Sequence, residues 1–122
     1  MPRQKLYDKL VAKAKKSVTE ISPTDAVEIV KENHNVVLID VREKEEWKEE
    51  HIPEAIHISR GTIESEIETK VPDSATMIIC HCGGGGRSAL VTESLQKMGY
   101  ENVWSLAGGL KAWKELGLPT KK

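Results

Sequence analysis

The chain has 122 residues, of which 39% are apolar, and this suits one domain whose core needs neither disulfides nor metals. Its 18 basic and 19 acidic residues leave a net charge of −1, which argues against a nucleic-acid surface as its main function. The two cysteines lie too close in sequence for a disulfide framework, and no segment has the pattern of a membrane span or a signal peptide. We therefore expect a cytoplasmic protein.

Residues 1–18 are predicted to form an amphipathic, basic helix. Lysines separate the apolar residues that recur at helical spacing, which are Leu6, Tyr7, Leu10, Val11 and Ala14. Such a face can bind an acidic partner or a membrane surface, but packing on the parent domain is the commoner outcome. The main domain is expected to occupy residues 19–122.

The next segments alternate between strand and helix patterns. Residues 18–21 suit a short strand, and Ser22 before Pro23 is typical of a helix N-cap. Residues 36–39 form an apolar, branched run typical of a buried parallel strand, with Asp40 at its carboxyl end. This alternation predicts an α/β fold, with a central, mostly parallel sheet whose ligands collect beyond the carboxyl ends of the strands.

The rest of the chain continues this pattern. Short helices are predicted at residues 43–49 and 62–69, and an apolar run from Met77 predicts a buried strand. A helix follows over residues 88–98 and ends at Gly99, and residues 103–106 suit another strand. A final helix is expected before Gly117.

The turn between the buried strand and its helix concentrates the reactive groups of the chain. In order, these residues are Cys82, Gly83, Gly84, Gly85, Gly86, Arg87 and Ser88. Consecutive glycines let backbone amides turn inward around an anion, and the positive end of the helix together with Arg87 favours a thiolate at Cys82. The alternative is a plain glycine-rich turn with a buried structural cysteine.

The two residues before Cys82 are less easily given a chemical role. His81 is adjacent to Cys82, so its side chain is expected on the opposite face of the strand, packed or solvent-facing, and not as a base for the thiol. Cys80 is interpreted as a strand residue facing the core, with a resolving thiol as the alternative. The spacing of Cys80, His81 and Cys82 does not suit a metal site.

Four ordered motifs resemble the single-domain, rhodanese-like sulfurtransferases. They are the stretch from Cys82 to Arg87, residues 38–43, residues 51–58, and a C-terminal set of Gly108, Gly109, Trp113, Gly117 and Pro119. The resemblance extends over about residues 20–119 and leaves the first helix outside it. It implies a rhodanese-like three-layer fold with helices on both faces of the sheet.

The resemblance also implies roles for individual residues. Cys82 would carry a sulfur atom as a persulfide, and the amides from Gly83 to Ser88 would surround that anion. Arg87 would attract an anionic donor, or pair with a carboxylate, or both. Asp40 and Arg42 would support the loop without reacting. The four residues between Cys82 and Arg87 are glycines, which have only a hydrogen atom as a side chain, so we expect an open site.

The predicted function is transfer of a sulfane sulfur from thiosulfate or a persulfide donor to cyanide or a thiol, which a protein could also supply. We expect no cofactor, no metal, and neither nucleic acid nor a membrane as a partner. One alternative is a sulfur-relay or binding module with little turnover. Another is a phosphatase or arsenate reductase on the related fold, but that fold uses a loop one residue longer between cysteine and arginine.

Overall fold

The structure, a computed structural model, describes residues 5–122. Its strands are β1 (Thr19–Ile21), β2 (Val37–Asp40), β3 (Ile56–His57), β4 (Ile78–His81) and β5 (Val103–Leu106). Its helices are α1 (Lys5–Ser17), α2 (Pro23–Glu32), α3 (Lys44–Glu49), α4 (Ile63–Lys70), α5 (Gly86–Met98) and α6 (Gly109–Glu115). None of the helices in this described part is long and apolar enough to cross a membrane.

The strands form one sheet in the order β1-β5-β4-β2-β3, and every neighbouring pair is parallel. In the register, Asp40 lies opposite His81, and Cys80 lies opposite Ser105. The central strand β4 therefore has β2 and β5 on its two sides. The predicted α/β fold with a parallel sheet is confirmed.

Buried side chains form a separate core on each face of the sheet. Alternation along β4 places Ile78 and Cys80 in one core and Ile79 in the other. The first core includes residues of α4 and α5, and the second includes residues of α2 and α6. This arrangement confirms the predicted three layers.

Local sequence signals explain most element boundaries. Before α2, the Oγ of Ser22 accepts a hydrogen bond of 3.1 Å from the amide of Asp25, with Pro23 in the first turn, as the N-cap pattern predicts. Gly99 ends α5 with a φ of 111°. The sequence analysis did not identify β3 as a strand. Two residues at the edge of the sheet are too few for a periodic pattern.

The N-terminal helix packs on the domain through only part of its apolar stripe. Ala14 is buried against the neighbouring helix α5, whereas Leu6 is 82% exposed and Leu10 is 50% exposed. Residues 1–4 of the segment predicted to be this helix lie outside the described residues. The predicted division of the chain into a helix at 1–18 and a domain at 19–122 stays a prediction.

Candidate functional site

The candidate site lies at the carboxyl edge of the sheet, where β4 ends at His81 and the chain enters the glycine loop. Asp40 ends the adjacent strand β2, so it lies at the same edge, as expected for neighbouring parallel strands. The loop then continues directly into α5, whose first residue is Gly86. Cys82 therefore lies between the end of a central strand and the positive end of a helix.

The Cys82 sulfur accepts hydrogen bonds from the loop that follows it. Among the described residues, the amides that donate to Sγ are those of Gly85, at 3.1 Å, and Ser88, at 3.4 Å. Gly85 reaches this position with a φ of 102°, a conformation that glycine adopts without strain. Two amide donors and the helix N-terminus stabilise negative charge on an atom placed there.

A pair of hydrogen-bonded serine hydroxyls lies near the sulfur of Cys82. The Oγ of Ser88 lies 3.6 Å from Sγ of Cys82, 2.8 Å from Oγ of Ser105 and 3.3 Å from the carbonyl oxygen of Gly85. Sequence reasoning did not identify Ser105 as part of the site. Its position in β5 next to Cys80 in β4 could have signalled it, because parallel register brings the ends of these strands together.

The predicted open site is not found, because Cys82 is only 1% exposed. The start of α6 packs against the loop, with the amide of Leu110 donating to the carbonyl of Cys82 at 2.8 Å and that of Lys111 to the carbonyl of Gly83 at 3.0 Å. A Cβ at Gly109 would lie 2.5 Å from the carbonyl oxygen of Cys82. Glycine at position 109 thus allows the backbone at the start of α6 to approach the backbone of Cys82 and Gly83 and to close that side of the site.

Arg87 forms a two-pronged ion pair with Glu46 of α3. Its Nη1 donates to Oε1 at 2.8 Å and its Nη2 to Oε2 at 3.1 Å. The hydrogen bonds from Arg87 are the main cause that lowers the pKa of Glu46 to about 2. A carboxylate partner for Arg87 was one expectation from the sequence, but the sequence did not say which of the many acidic residues it is.

Asp40 and Arg42 form a buried pair beside the loop. Asp40 is fully buried, and Arg42, which is 6% exposed, donates to it from Nε at 3.0 and 3.1 Å and from Nη2 at 2.8 Å. The same Nη2 donates to the carbonyl of Glu50 at 2.6 Å. The pair ties β2 to the segment after α3, and its predicted role as a support of the site stays a prediction.

Comparison with known proteins identifies the family. The sequence model of the rhodanese-like domain matches residues 22–116. The chain belongs to the rhodanese-like family. A thiosulfate sulfurtransferase, GlpE of Coxiella burnetii, is 33% identical over 95 residues, which are 78% of this chain and 86% of the relative. The predicted family is thereby confirmed.

Two solved structures share the rhodanese-like fold over nearly the whole chain. The polysulfide-sulfur transferase homodimer of Wolinella succinogenes is 29% identical with a TM-score of 0.82, covering 95% of this chain and 87% of that one. A Rhodopseudomonas palustris protein of unknown function, described as a possible tyrosine phosphatase, is 27% identical with a TM-score of 0.83, covering 99% of both chains.

The residues before Cys82 in this rhodanese-like domain are both buried. Burial is the main cause that lowers the pKa of His81, and its Nε2 lies 3.6 Å from Oδ2 of Asp40. Burial also raises the pKa of the Cys80 thiol to about 12. Cys80 faces the same core as Cys82, as its one-residue separation predicted, and remains a neutral thiol there.

The helix outside the family match also reaches the loop. A Cβ at Gly86 would lie 2.9 Å from the hydroxyl of Tyr7 and 3.5 Å from Cγ2 of Val11, both in α1. Gly86 therefore lets α1 pack closely on the first turn of α5, next to the residues that surround the sulfur. The sequence analysis did not connect this helix to the site, since its spacing showed only an amphipathic face.

Proposed function

We propose that the protein is a sulfurtransferase that moves a sulfane sulfur through a persulfide on Cys82. The single observation that supports this most strongly is the pair of backbone amides, of Gly85 and Ser88, that donate to Sγ of Cys82 at the start of α5. Amides arranged in this way stabilise an anionic sulfur. The glycines of the loop carry no side chains that would exclude a second sulfur atom. The proposed donor is thiosulfate or a persulfide, and the proposed acceptor is cyanide or a thiol.

The reaction takes place in two displacements. The Cys82 thiolate attacks the outer sulfur of thiosulfate, a new S–S bond forms, and the old S–S bond breaks with its electron pair on sulfite. Cyanide or a thiolate then attacks the terminal sulfur of the persulfide, and the S–S electron pair returns to Cys82 as thiolate. The enzyme ends in its starting state, so no cofactor or external oxidant takes part.

The remaining loop residues have proposed roles in binding the transferred atom. The terminal sulfur of a persulfide extends beyond Sγ, where the amides of Gly83, Gly84 and Gly86 become available to it. Arg87 is proposed to attract the anionic donor, although in the structure its guanidinium already pairs with Glu46. Asp40 and Arg42 are proposed to hold the strand end that carries the loop.

The named relatives support this substrate class. One of them is a thiosulfate sulfurtransferase and another is a polysulfide-sulfur transferase, and in both names the transferred group is sulfur. We also propose a cytoplasmic location, since a thiolate at Cys82 requires a reduced cysteine. A thiol carried by a small molecule or by a protein would then be the natural acceptor.

The experiment is an assay of sulfur transfer with thiosulfate, a polysulfide and an organic persulfide as donors, alongside an aryl phosphate ester. We expect sulfur transfer in the unmodified protein and in Cys80→Ala, and none in Cys82→Ser. A hydrolysis rate for the phosphate ester comparable with sulfur transfer would favour the phosphatase alternative. Formation of the persulfide without turnover would instead favour a sulfur relay.

A further inference from the structure

Three cationic side chains near the carboxyl edge of the sheet each pair with a carboxylate. Arg87 pairs with Glu46 at 2.8 Å, Arg42 with Asp40 at 2.8 Å, and Lys114 with Glu50 at 2.6 Å. In each of these pairs, the carboxylate offsets positive charge that an approaching anion would otherwise meet.

The Arg87 pair matters most, because its guanidinium lies beside the loop. A Cβ at Gly83 would lie 3.3 Å from Nη2 of Arg87, so the guanidinium flanks the residue that follows Cys82. Both terminal nitrogens of Arg87 are bound by Glu46, one to each carboxylate oxygen. A donor anion must displace Glu46, or bind beside it, in order to use the charge of Arg87.

The backbone at the start of α3 also holds the side chain of Glu46 in place. Its Oε1 also accepts a hydrogen bond of 2.9 Å from the amide of Glu43 at the start of α3. The carboxylate is thus fixed at a helix N-terminus, where its negative charge is favoured, and does not need Arg87 to remain ionised near neutral pH. It therefore places a fixed negative charge on the guanidinium of Arg87.

An open groove continues from the loop between Gly83 and α6. Leu110, Lys111, Lys114 and Glu115 line its far side. Leu110 is buried, at 6% exposure, so the exposed side chains of this groove are the charged ones. Lys111 and Glu115 carry opposite charges, and Lys114 is paired with Glu50. With its charges balanced in this way, the groove offers no additional net positive charge to the second negative charge of a dianion.

We propose that Glu46 is a specificity-determining residue, which makes the site prefer singly charged organic sulfur donors to the thiosulfate dianion. This inference rests on the proposed sulfurtransferase function and narrows its substrate class to organic persulfides and thiosulfonates. The negative charge of Glu46 repels a dianion about twice as strongly as it repels a monoanion at the same distance. Neutralising Glu46 frees the guanidinium of Arg87, and this improves the binding of a dianionic donor more than that of a monoanionic donor.

The test compares thiosulfate with benzenethiosulfonate, which transfers the same kind of sulfur and releases sulfinate where thiosulfate releases sulfite. For Glu46→Gln, we expect the ratio of kcat/KM for thiosulfate to that for benzenethiosulfonate to rise roughly 5-fold, mainly through KM. The side-chain carbonyl oxygen of Gln can still accept the hydrogen bond from the amide of Glu43, so the start of α3 is kept. The matched control is Glu45→Gln, which removes the same charge one residue away, and its ratio should stay at that of the unmodified protein.

A second readout does not depend on turnover. The rate at which iodoacetate alkylates Cys82, divided by the rate for neutral iodoacetamide, should rise by a similar factor in Glu46→Gln and not in Glu45→Gln. If both ratios are unchanged in Glu46→Gln, or fall, Glu46 only positions Arg87 and the inference is wrong. If the unmodified protein transfers no sulfur from either donor, the proposed function fails, while the alkylation ratio still decides the role of Glu46.

Discussion

The amide nitrogen of Gly85 lies 3.1 Å from Sγ of Cys82, and Gly85 makes this contact with a φ of 102°. A side chain at this position is strained and would also place its Cβ 3.4 Å from the amide nitrogen of Gly108. We predict that Gly85→Ala lowers the free energy of unfolding by roughly 1–2 kcal/mol. Sulfur transfer should fall with it, because the amide moves off the sulfur.

The matched control is Gly84→Ala in the same loop. Gly84 has no positive φ, and a Cβ there would meet no atom within 4 Å. We expect this variant to be unchanged or more stable by about 0.4–1 kcal/mol, since alanine restricts the unfolded chain. Denaturant unfolding of both variants measures the difference. Equal stability of the two would contradict the loop conformation described above.

A double-mutant cycle tests the contact between α1 and the loop. Gly86→Ala would place a Cβ 2.9 Å from the hydroxyl of Tyr7, so the end of that side chain must shift to make room for it. Tyr7→Phe removes that oxygen, so Gly86→Ala should cost less in the Tyr7→Phe background, with a coupling of roughly 0.5–1 kcal/mol measured by unfolding. Costs that simply add would show that Tyr7 does not touch Gly86 in solution.

The Arg87 and Glu46 pair should make stability depend on acid pH. Folding lowers the pKa of Glu46 from 4.5 to about 2, so its contribution is complete above the unfolded value and is lost as pH falls from about 4.5 towards 2. The side chains of the pair are 28% and 39% exposed, so we expect about 1 kcal/mol at neutral pH. Unfolding of the unmodified protein and of Glu46→Gln should therefore differ at neutral pH and converge in acid. A constant difference over this pH window would contradict the assignment.

Labelling of the two cysteines should separate their roles. Both thiols are buried, but burial raises the pKa of Cys80 to about 12, so near neutral pH it is a neutral thiol. Sγ of Cys82 instead accepts two amide hydrogen bonds that stabilise negative charge on it. We predict that iodoacetamide modifies Cys82 in the native protein and modifies both cysteines in denaturant, as read by peptide mass. Labelling of native Cys80 at the rate of Cys82 would make it available as a resolving thiol, which this account excludes.

Much of the fold could be predicted because its signals are local. The apolar runs of β2 and β4, the N-cap at Ser22 and the terminal glycine at Gly99 each determine an element through their own residues. The position of Cys82 at the sheet edge followed from the alternation of strands and helices. The two-residue strand β3 could not be found, because it is defined by its pairing with β2 and by no pattern of its own.

The missed parts of the site depend on contacts between distant segments. Glu46 is one of several acidic residues in α3, and only the folded chain shows that it faces Arg87. Closure of the site likewise depends on Gly109, which lies far along the chain from the loop that it packs against. Counting the side chains between Cys82 and Arg87 predicted an open site, because the packing of α6 on the loop does not follow from the loop sequence.

The most direct test of the central claim is the intact mass of the protein after treatment with a sulfane donor and removal of excess donor. We expect one added sulfur atom in the unmodified protein and in Cys80→Ala, lost again on addition of cyanide with release of thiocyanate. We expect no added sulfur in Cys82→Ser. A mass gain that persists in folded Cys82→Ser, or no gain in the unmodified protein with any of the three donors, would contradict the persulfide on Cys82.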